Sequence, residues 1–421
     1  MVGMTFLKQT IRDVPLDNKT VLVRADYNVP LTKDGNISDD LRIKASIPTL
    51  KALLDRGCTV VIVSHLGRPE GRDLQFSLEV VAGRLTELLG KEVKFVNDCI
   101  GDGVYQATKR APKGSVLLLE NLRFYAEEEA NDEEFAKKIA HDSNARYFVQ
   151  DGFGVVHRAH ASTHAITLKL PSVAGLLLER EYTTITDAME SPKRPLVAVI
   201  GGAKVSDKIG VIDAFVRKAD QIIVGGAMAN TFLAHKGFSV GASKVETDQT
   251  ETLNTIYAAA EEKVAKEIAD SGDPTGRTID EFIQLPSDVA VATEISPAAT
   301  RRDVLVTEIA ANDIALDIGD ASIEKMAETV AGAGTVIWNG TLGYAELPEF
   351  AHGSARLALS LASQPETTSI IGGGDTADFA LKWDGEGGKS FTHVSTGGGA
   401  GLELMAGEKL PGVECLLDRY K

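Results

Sequence analysis

Short apolar runs rich in β-branched residues alternate along the chain with longer helix-like stretches. The runs are Val21–Ala25, Thr59–Ser64, Val116–Leu119, Tyr147–Gln150, Leu196–Ile200, Gln221–Val224, Thr335–Trp338, Thr368–Ile371 and His393–Ser395. They are nearly all apolar, which is how strands buried on both faces read. Between them lie Arg42–Arg56, Ser77–Leu89, Lys204–Lys218, Thr250–Ala269 and Ser322–Ala331. Alternating strand and helix units predict parallel sheets flanked by helices. One sheet rarely needs so many strands, so the pattern predicts two α/β domains. The boundary falls near Glu179–Pro195. Leu176–Glu190 reads as a connecting helix, and Ser191-Pro192-Lys193-Arg194-Pro195 breaks it before the next apolar strand. Ser271–Arg277 reads as a surface turn.

Composition narrows the function classes. At 421 residues the chain has room for two or three domains, each with its own core. Lys and Arg total 44 against 60 Asp and Glu, a net charge of -16. An acidic surface repels a phosphate backbone, so nucleic acid is not an expected partner. A local basic pocket for a small anion is still compatible with that balance. No apolar run approaches the ~18 residues needed to span a bilayer, so no membrane association is expected. Met1–Thr10 lacks the pattern of a signal peptide. Cys58, Cys99 and Cys415 are far apart and in no metal-like spacing. They read as small buried residues in a protein of the reducing cytoplasm.

Ligands of open α/β sheets bind beyond the carboxyl ends of the strands. In the first half, cations and polar anchors follow each strand run. Asp26 and Asn28 follow the first; His65, Gly67 and Arg68 the second; Glu120, Asn121 and Arg123 the third; Asp151, His157, Arg158 and His160 the fourth. Arg42 opens a helix. A single exposed arginine is ordinarily a solubilising residue. Four converging on one sheet edge suggest a small polyanion, because guanidinium forks match phosphate and carboxylate and stay charged. His65, His157 and His160 read either as metal ligands or as structural histidines.

In the second half the strand runs lead into glycine: Gly201-Gly202-Ala203-Lys204, Gly225-Gly226-Ala227, Asn339-Gly340, Gly372-Gly373-Gly374-Asp375-Thr376 and Gly397-Gly398-Gly399. Glycine lets the backbone approach a ligand, and a helix N-terminus offers free N–H groups and a positive dipole end. Five such turns at one sheet edge describe a phosphate site. Lys204 and Lys208 are spaced i, i+4 and would share one face of a helix. Cations oppose the dipole at that end, so their presence calls for an anion. Asp375 reads either as a plain helix cap or as a Mg²⁺ ligand beside nucleotide phosphates. Gly385–Ser390 ends like a P-loop, but Trp383 stands where glycine is required, so it reads as a loop. No G-x-G-x-x-G occurs, which disfavours a dinucleotide-dependent dehydrogenase. A basic half and a glycine-rich half together suggest a two-domain kinase.

These residues resemble the phosphoglycerate kinase family. The resemblance rests on RADYNVP (24–30), DDLRIKASIPTL (39–50), SHLGRP (64–69), LLENLRF (118–124), HRAHAS (157–162), GGAKVSDKI (201–209), GGAMANTFL (225–233), WNG (338–340), GGGDT (372–376) and STGGG (395–399), in family order over nearly the whole chain. It implies two Rossmann-like domains joined by a helical hinge, 1–187 and 188–404, with the tail 405–421 packed back on the first. It implies reversible phosphoryl transfer between ATP and 3-phosphoglycerate, giving ADP and 1,3-bisphosphoglycerate, in a cytoplasmic monomer with Mg²⁺ as cofactor. Its acceptor residues map to Asp26, Asn28, Arg42, His65, Arg68, Arg123 and Arg158. Its nucleotide residues map to Gly202, Ala203, Lys204, Lys208, Ala227, Asn339, Glu346, Gly373, Gly374, Asp375 and Thr376, with Asp375 on the metal.

Direct in-line transfer would use Arg42 and Lys208 to neutralise the moving group. Lys204 and helix amides would hold the phosphates, and Gly374 and Gly398 would lie nearby. Hinge closure would exclude water. The chain departs from the family at Gln150–Val156, at Ala227 and at Thr341–Ala345, which bears on nucleotide affinity more than on activity. The alternative is a non-catalytic nucleotide-binding protein on the same fold.

Overall fold

The computed structural model describes residues 6–271 and 276–420. Of the predicted turn Ser271–Arg277, residues 272–275 lie outside the described residues, as do Met1–Thr5 of the N-terminal segment. The chain divides into two compact units: Met1–Thr183 with Glu408–Lys421, and Thr184–Gly407. The boundary falls inside the helix Leu176–Glu190.

The first unit is built on six parallel strands: β1 (Thr20–Arg24), β2 (Thr59–Val63), β3 (Val93–Val96), β4 (Val116–Leu119), β5 (Tyr147–Gln150) and β6 (Ser172–Ala174), in the order β3-β4-β2-β1-β5-β6. Successive side chains point to opposite faces. Val21, Val23, Val60, Ile62 and Leu118 fill one core layer; Leu22, Val61, Val63, Leu117 and Phe148 fill the other. Helices cover both layers. Helix Glu133–Asp142 shows how local sequence starts one: the Asp132 carboxylate accepts from Phe135 N–H at 2.7 Å, and Glu133 and Glu134 occupy the positive first turn. The segment after Gly407 belongs to this unit. Gln9 N–H donates to Leu417 O at 2.7 Å, Leu417 N–H to Ser172 O at 3.0 Å, and Gly412 N–H to Val156 O at 2.8 Å.

The second unit repeats the plan with β7 (Leu196–Ile200), β8 (Gln221–Val224), β9 (Ile283–Gln284), β13 (Thr335–Asn339), β14 (Thr368–Gly372) and β15 (His393–Val394), ordered β15-β14-β13-β7-β8-β9 and all parallel. Val197, Val199, Val336, Trp338 and Ile371 share one core layer. A separate antiparallel sheet, β11-β10-β12, consists of β10 (Asp288–Ala292), β11 (Arg302–Leu305) and β12 (Ile314–Ile318). It is not among the predicted apolar runs; its central strand β10 is buried throughout, and its edge strand β11 is mostly exposed and carries Arg302 and Asp303.

Two sequence expectations are corrected here. The helix expected over Lys204–Lys218 begins only at Ile209, after a 3₁₀ turn at Ser206–Lys208, so Lys204 and Lys208 do not share a helical face. Nor does a helix follow Asn339-Gly340 directly. A loop runs to the 3₁₀ turn Pro348–Phe350 before helix His352–Ala362. Both sheets reverse winding direction at one internal strand: β1 has β2 on one side and β5 on the other, and β7 has β8 and β13. Ligand crevices form at such switch points.

Leu118 is fully buried in the first core. Leu118→Ala is expected to destabilise the protein by about 2–5 kcal/mol, read as a lower midpoint in urea denaturation followed by circular dichroism.

Candidate active site

At the carboxyl end of β1 the chain turns through Asp26 and Asn28. Asp26 is buried, and Arg42, in the first turn of helix Leu41–Asp55, donates to its carboxylate at 3.1 Å and to Asn28 O at 3.0 Å. Burial opposes ionisation of Asp26, but Arg42 beside it holds the carboxyl below its usual range. Asn28 Oδ1 accepts from Gly67 N–H at 2.8 Å, which ties the end of β1 to the loop after β2. Arg123, in the 3₁₀ turn after β4, donates to Gly67 O at 2.8 Å and pairs with Glu129 at 3.0 Å. Burial lowers the Arg123 pKa, the nearby Glu129 and Glu128 raise it, and the positive charges of Arg158 and Arg68 lower it further. Arg68 and Arg158 themselves are exposed. Arginines from three strand ends are therefore electrostatic neighbours, with acidic groups interleaved.

His65 is buried, and burial pushes its pKa well below the usual range; Asp26 opposes that, while Arg24, Arg123 and Arg42 reinforce it. It is a neutral imidazole at pH 7. Arg24 was not picked out from the sequence, because it sits inside an apolar strand run. It is fully buried: Nε donates to Ser162 Oγ at 2.7 Å, a second nitrogen lies 3.4 Å from His65 Nδ1, and Glu128 lies 3.6 Å away. Ser162 Oγ in turn donates to Glu128 at 2.5 Å. An arginine two residues before a strand-end aspartate was the available signal. Among the described residues no group of three or more His, Cys, Asp and Glu side chains could hold a metal.

The second unit gathers its groups at the switch point between β7 and β13. Lys208 Nζ donates to Gly201 O at 2.8 Å and to Asn339 O at 3.0 Å, joining the ends of both strands. Burial pulls its pKa down to about 8, opposed by Asp207 and Asp375. The packing leaves no room for side chains here: a Cβ on Gly340, where φ is +100°, would lie 2.1 Å from Gly201 O. Trp338 Nε1–H donates to Gly340 O at 2.8 Å, and Gly340 N–H to Thr376 Oγ1 at 2.7 Å. Asn339 Nδ2 is buried without a hydrogen-bond partner, a spare donor at the strand end.

Gly373 caps helix Gly374–Asp384, whose first-turn amides have no intrahelical acceptor. Asp375 stands exposed in that turn. Gly398, at φ +49°, likewise caps helix Gly399–Met405. Gly202 and Ala203 lead to the exposed Lys204, and Ala227 is the second residue of helix Gly226–His235. Glu346 is exposed in the loop after Gly340.

One lone carboxylate beside amides and a lysine fits a hard divalent cation that arrives with phosphate oxygens and water in its shell. Arginines at one parallel-sheet edge and amides with a half-buried lysine at another suit two different anions. The class so defined is a phosphotransferase built on two doubly wound units. The family model described as "Phosphoglycerate kinase" matches residues 11–408. The chain is 45% identical over 413 residues to "Phosphoglycerate kinase" of Pelotomaculum thermopropionicum, covering 98% of this chain and all of that one. It is 46% identical to the enzyme of the same name from Dictyoglomus turgidum, covering 97% of this chain and 98% of that one. Its fold is similar to the structure of phosphoglycerate kinase from Coxiella burnetii, with a TM-score of 0.81 and 35% identity over 97% of this chain and 98% of that one. The chain belongs to the phosphoglycerate kinase family, phosphotransferases with a carboxyl group as acceptor.

Lys208 yields a titration test. With ¹³C-labelled lysine, one resonance of the ligand-free protein is expected to titrate near pH 8 and to vanish in Lys208→Arg. Bound phosphate favours the charged form, so ADP should move that titration upward; an unshifted lysine would remove the basis for placing Lys208 against the nucleotide phosphates.

Proposed function

We propose that the first unit binds 3-phosphoglycerate and the second binds the nucleotide, with direct transfer of the γ-phosphoryl group of ATP to the acceptor carboxylate. The observation that carries this reading is Lys208 at the β7–β13 switch point: a half-buried cation bonded to two strand-end carbonyls, beside free helix amides. In the forward direction the bond between the γ-phosphorus and its bridging oxygen breaks, and a bond from a carboxylate oxygen to that phosphorus forms. ADP takes the electron pair of the broken bond. The acceptor is already an anion at pH 7, so no base is needed to remove a proton, in keeping with the neutral, buried His65.

In this reading Arg42, Arg68, Arg123 and Arg158 neutralise the acceptor's phosphate and carboxylate, and Asp26 and Asn28 hold Arg42 in place. Lys208 gains most of its binding as negative charge builds on the transferring oxygens, because a preorganised cation in a poorly solvated site needs little reorganisation. Lys204 and the first-turn amides of helix Gly374–Asp384 hold nucleotide phosphates, with the Gly398 turn bordering them, and Glu346 and Ala227 face the nucleoside. Asp375 would hold Mg²⁺, which supplies charge neutralisation at the phosphates.

Each substrate site is made by one unit of a single chain, which supports a monomer. The three cysteines are free thiols, which supports a reducing compartment such as the cytoplasm. Among the described residues no helix is long and apolar enough to cross a membrane. The non-catalytic alternative is not favoured, since every charged group that transfer requires is present.

A coupled assay with ATP, Mg²⁺ and 3-phosphoglycerate tests the assignment. Lys208→Ala should lower kcat by about 10²–10³-fold, the scale for loss of one transition-state donor. Arg68→Ala should mainly raise the KM for phosphoglycerate. Wild-type kcat in Lys208→Ala, or an unchanged KM in Arg68→Ala, would refute the corresponding role.

A further inference from the structure

We propose that Glu246 is a positioning residue for phosphoryl transfer, holding the turn that carries Lys204 and Lys208 through three hydrogen bonds. The proposal rests on the role given to Lys208 above. Glu246 Oε2 accepts from Val205 N–H at 2.5 Å and from Ser206 N–H at 3.3 Å, and Oε1 accepts from Ser206 Oγ at 2.5 Å. Those two amides lie between the lysines and open the 3₁₀ turn Ser206–Lys208. Such amides need an acceptor from outside their own turn, and Glu246 supplies it from a segment 40 residues away.

That segment is itself anchored. Glu246 N–H donates to Thr231 Oγ1 at 3.2 Å, and Asn230 Nδ2 donates to Lys244 O at 3.4 Å. Asn230 and Thr231 are buried in helix Gly226–His235. Near the start of that helix, Met228 N–H donates to Gly202 O at 2.9 Å. One helix thus holds the lysine turn at two points, directly at Gly202 ahead of Lys204 and through Glu246 at Val205–Ser206 between the lysines. Val205, fully buried, pins the middle. With the turn held, Lys208 can reach back to Gly201 O and Asn339 O. A further consequence is that the Val205 and Ser206 amides already have an acceptor and are not free for nucleotide phosphates.

The bonds run to backbone and hydroxyl groups and not to either lysine. A glutamine can reproduce them: its oxygen accepts both N–H groups and its amide nitrogen donates to Ser206 Oγ. Charge at 246 is therefore not what matters. Steady-state kinetics of the full-length Glu246→Ala, Glu246→Gln and Lys208→Ala variants test this.

Loss of these hydrogen bonds is worth about a tenfold effect. Glu246→Ala should lower kcat about tenfold with the KM for phosphoglycerate unchanged, whereas Glu246→Gln should stay within about twofold of wild type. Wild-type kcat in Glu246→Ala, equal losses in both variants, or a loss confined to the KM for phosphoglycerate would overturn the proposal. Wild-type turnover in Lys208→Ala would overturn it together with the lysine's role. A loss in Lys208→Ala with none in Glu246→Ala would sink the proposal alone. If Glu246→Ala does not fold, Ser206→Ala removes one of the three bonds. It should show a smaller kcat loss at unchanged KM for phosphoglycerate, and unaltered kcat there would overturn the proposal.

Discussion

The second unit depends on a cation held where cations are least welcome. Lys208 is half-buried at the end of two parallel strands and bonds to the carbonyls of Gly201 and Asn339. Desolvation destabilises its charge, which is why its pKa falls to about 8. Those carbonyls compensate in part, and an arriving anion would compensate further. The arrangement forces other choices. The strand ends must close to within reach of one ammonium group, so Gly340 cannot carry a side chain. Trp338 and Thr376 then fix the Gly340 peptide from either side.

The first unit solves the opposite problem. It assembles several cations that repel one another, and it does so with acidic groups between them. Asp26 takes Arg42, Glu129 takes Arg123, and Glu128 lies beside Arg24 under the site. Buried charges are tolerated only when paired or hydrogen-bonded, and each buried arginine here has such a partner. Arg68 and Arg158 are left exposed at the rim, where water solvates them until an anion arrives.

Much of this was legible along the chain. Each of the nine apolar runs corresponds to a strand, with ends displaced by a residue or so, because strands buried on both faces leave a continuous apolar signature. Helix Leu176–Glu190 was legible because a proline-flanked break ends it. Strands β3, β6 and β9, two to four residues long, were not. The lysine turn misled for a definite reason. Residues 204–218 have helical character throughout, yet Glu246 captures the Val205 and Ser206 amides and Lys208 turns to the strand ends, so the helix starts five residues late.

The sequence by itself determined the α/β class, the residue types at each strand end and the family to which the chain belongs. Those are properties of local pattern and chemical identity, carried by neighbours along the chain. Tertiary structure alone decided which strand ends lie side by side, that Lys208 is half-buried while Lys204 is exposed, and that Arg24 and Glu246 support groups they adjoin only in space. The physical reason is that burial and hydrogen-bond partnership depend on separations through space. Glu246 and Ser206 are 40 residues apart in the chain and 2.5 Å apart in the fold.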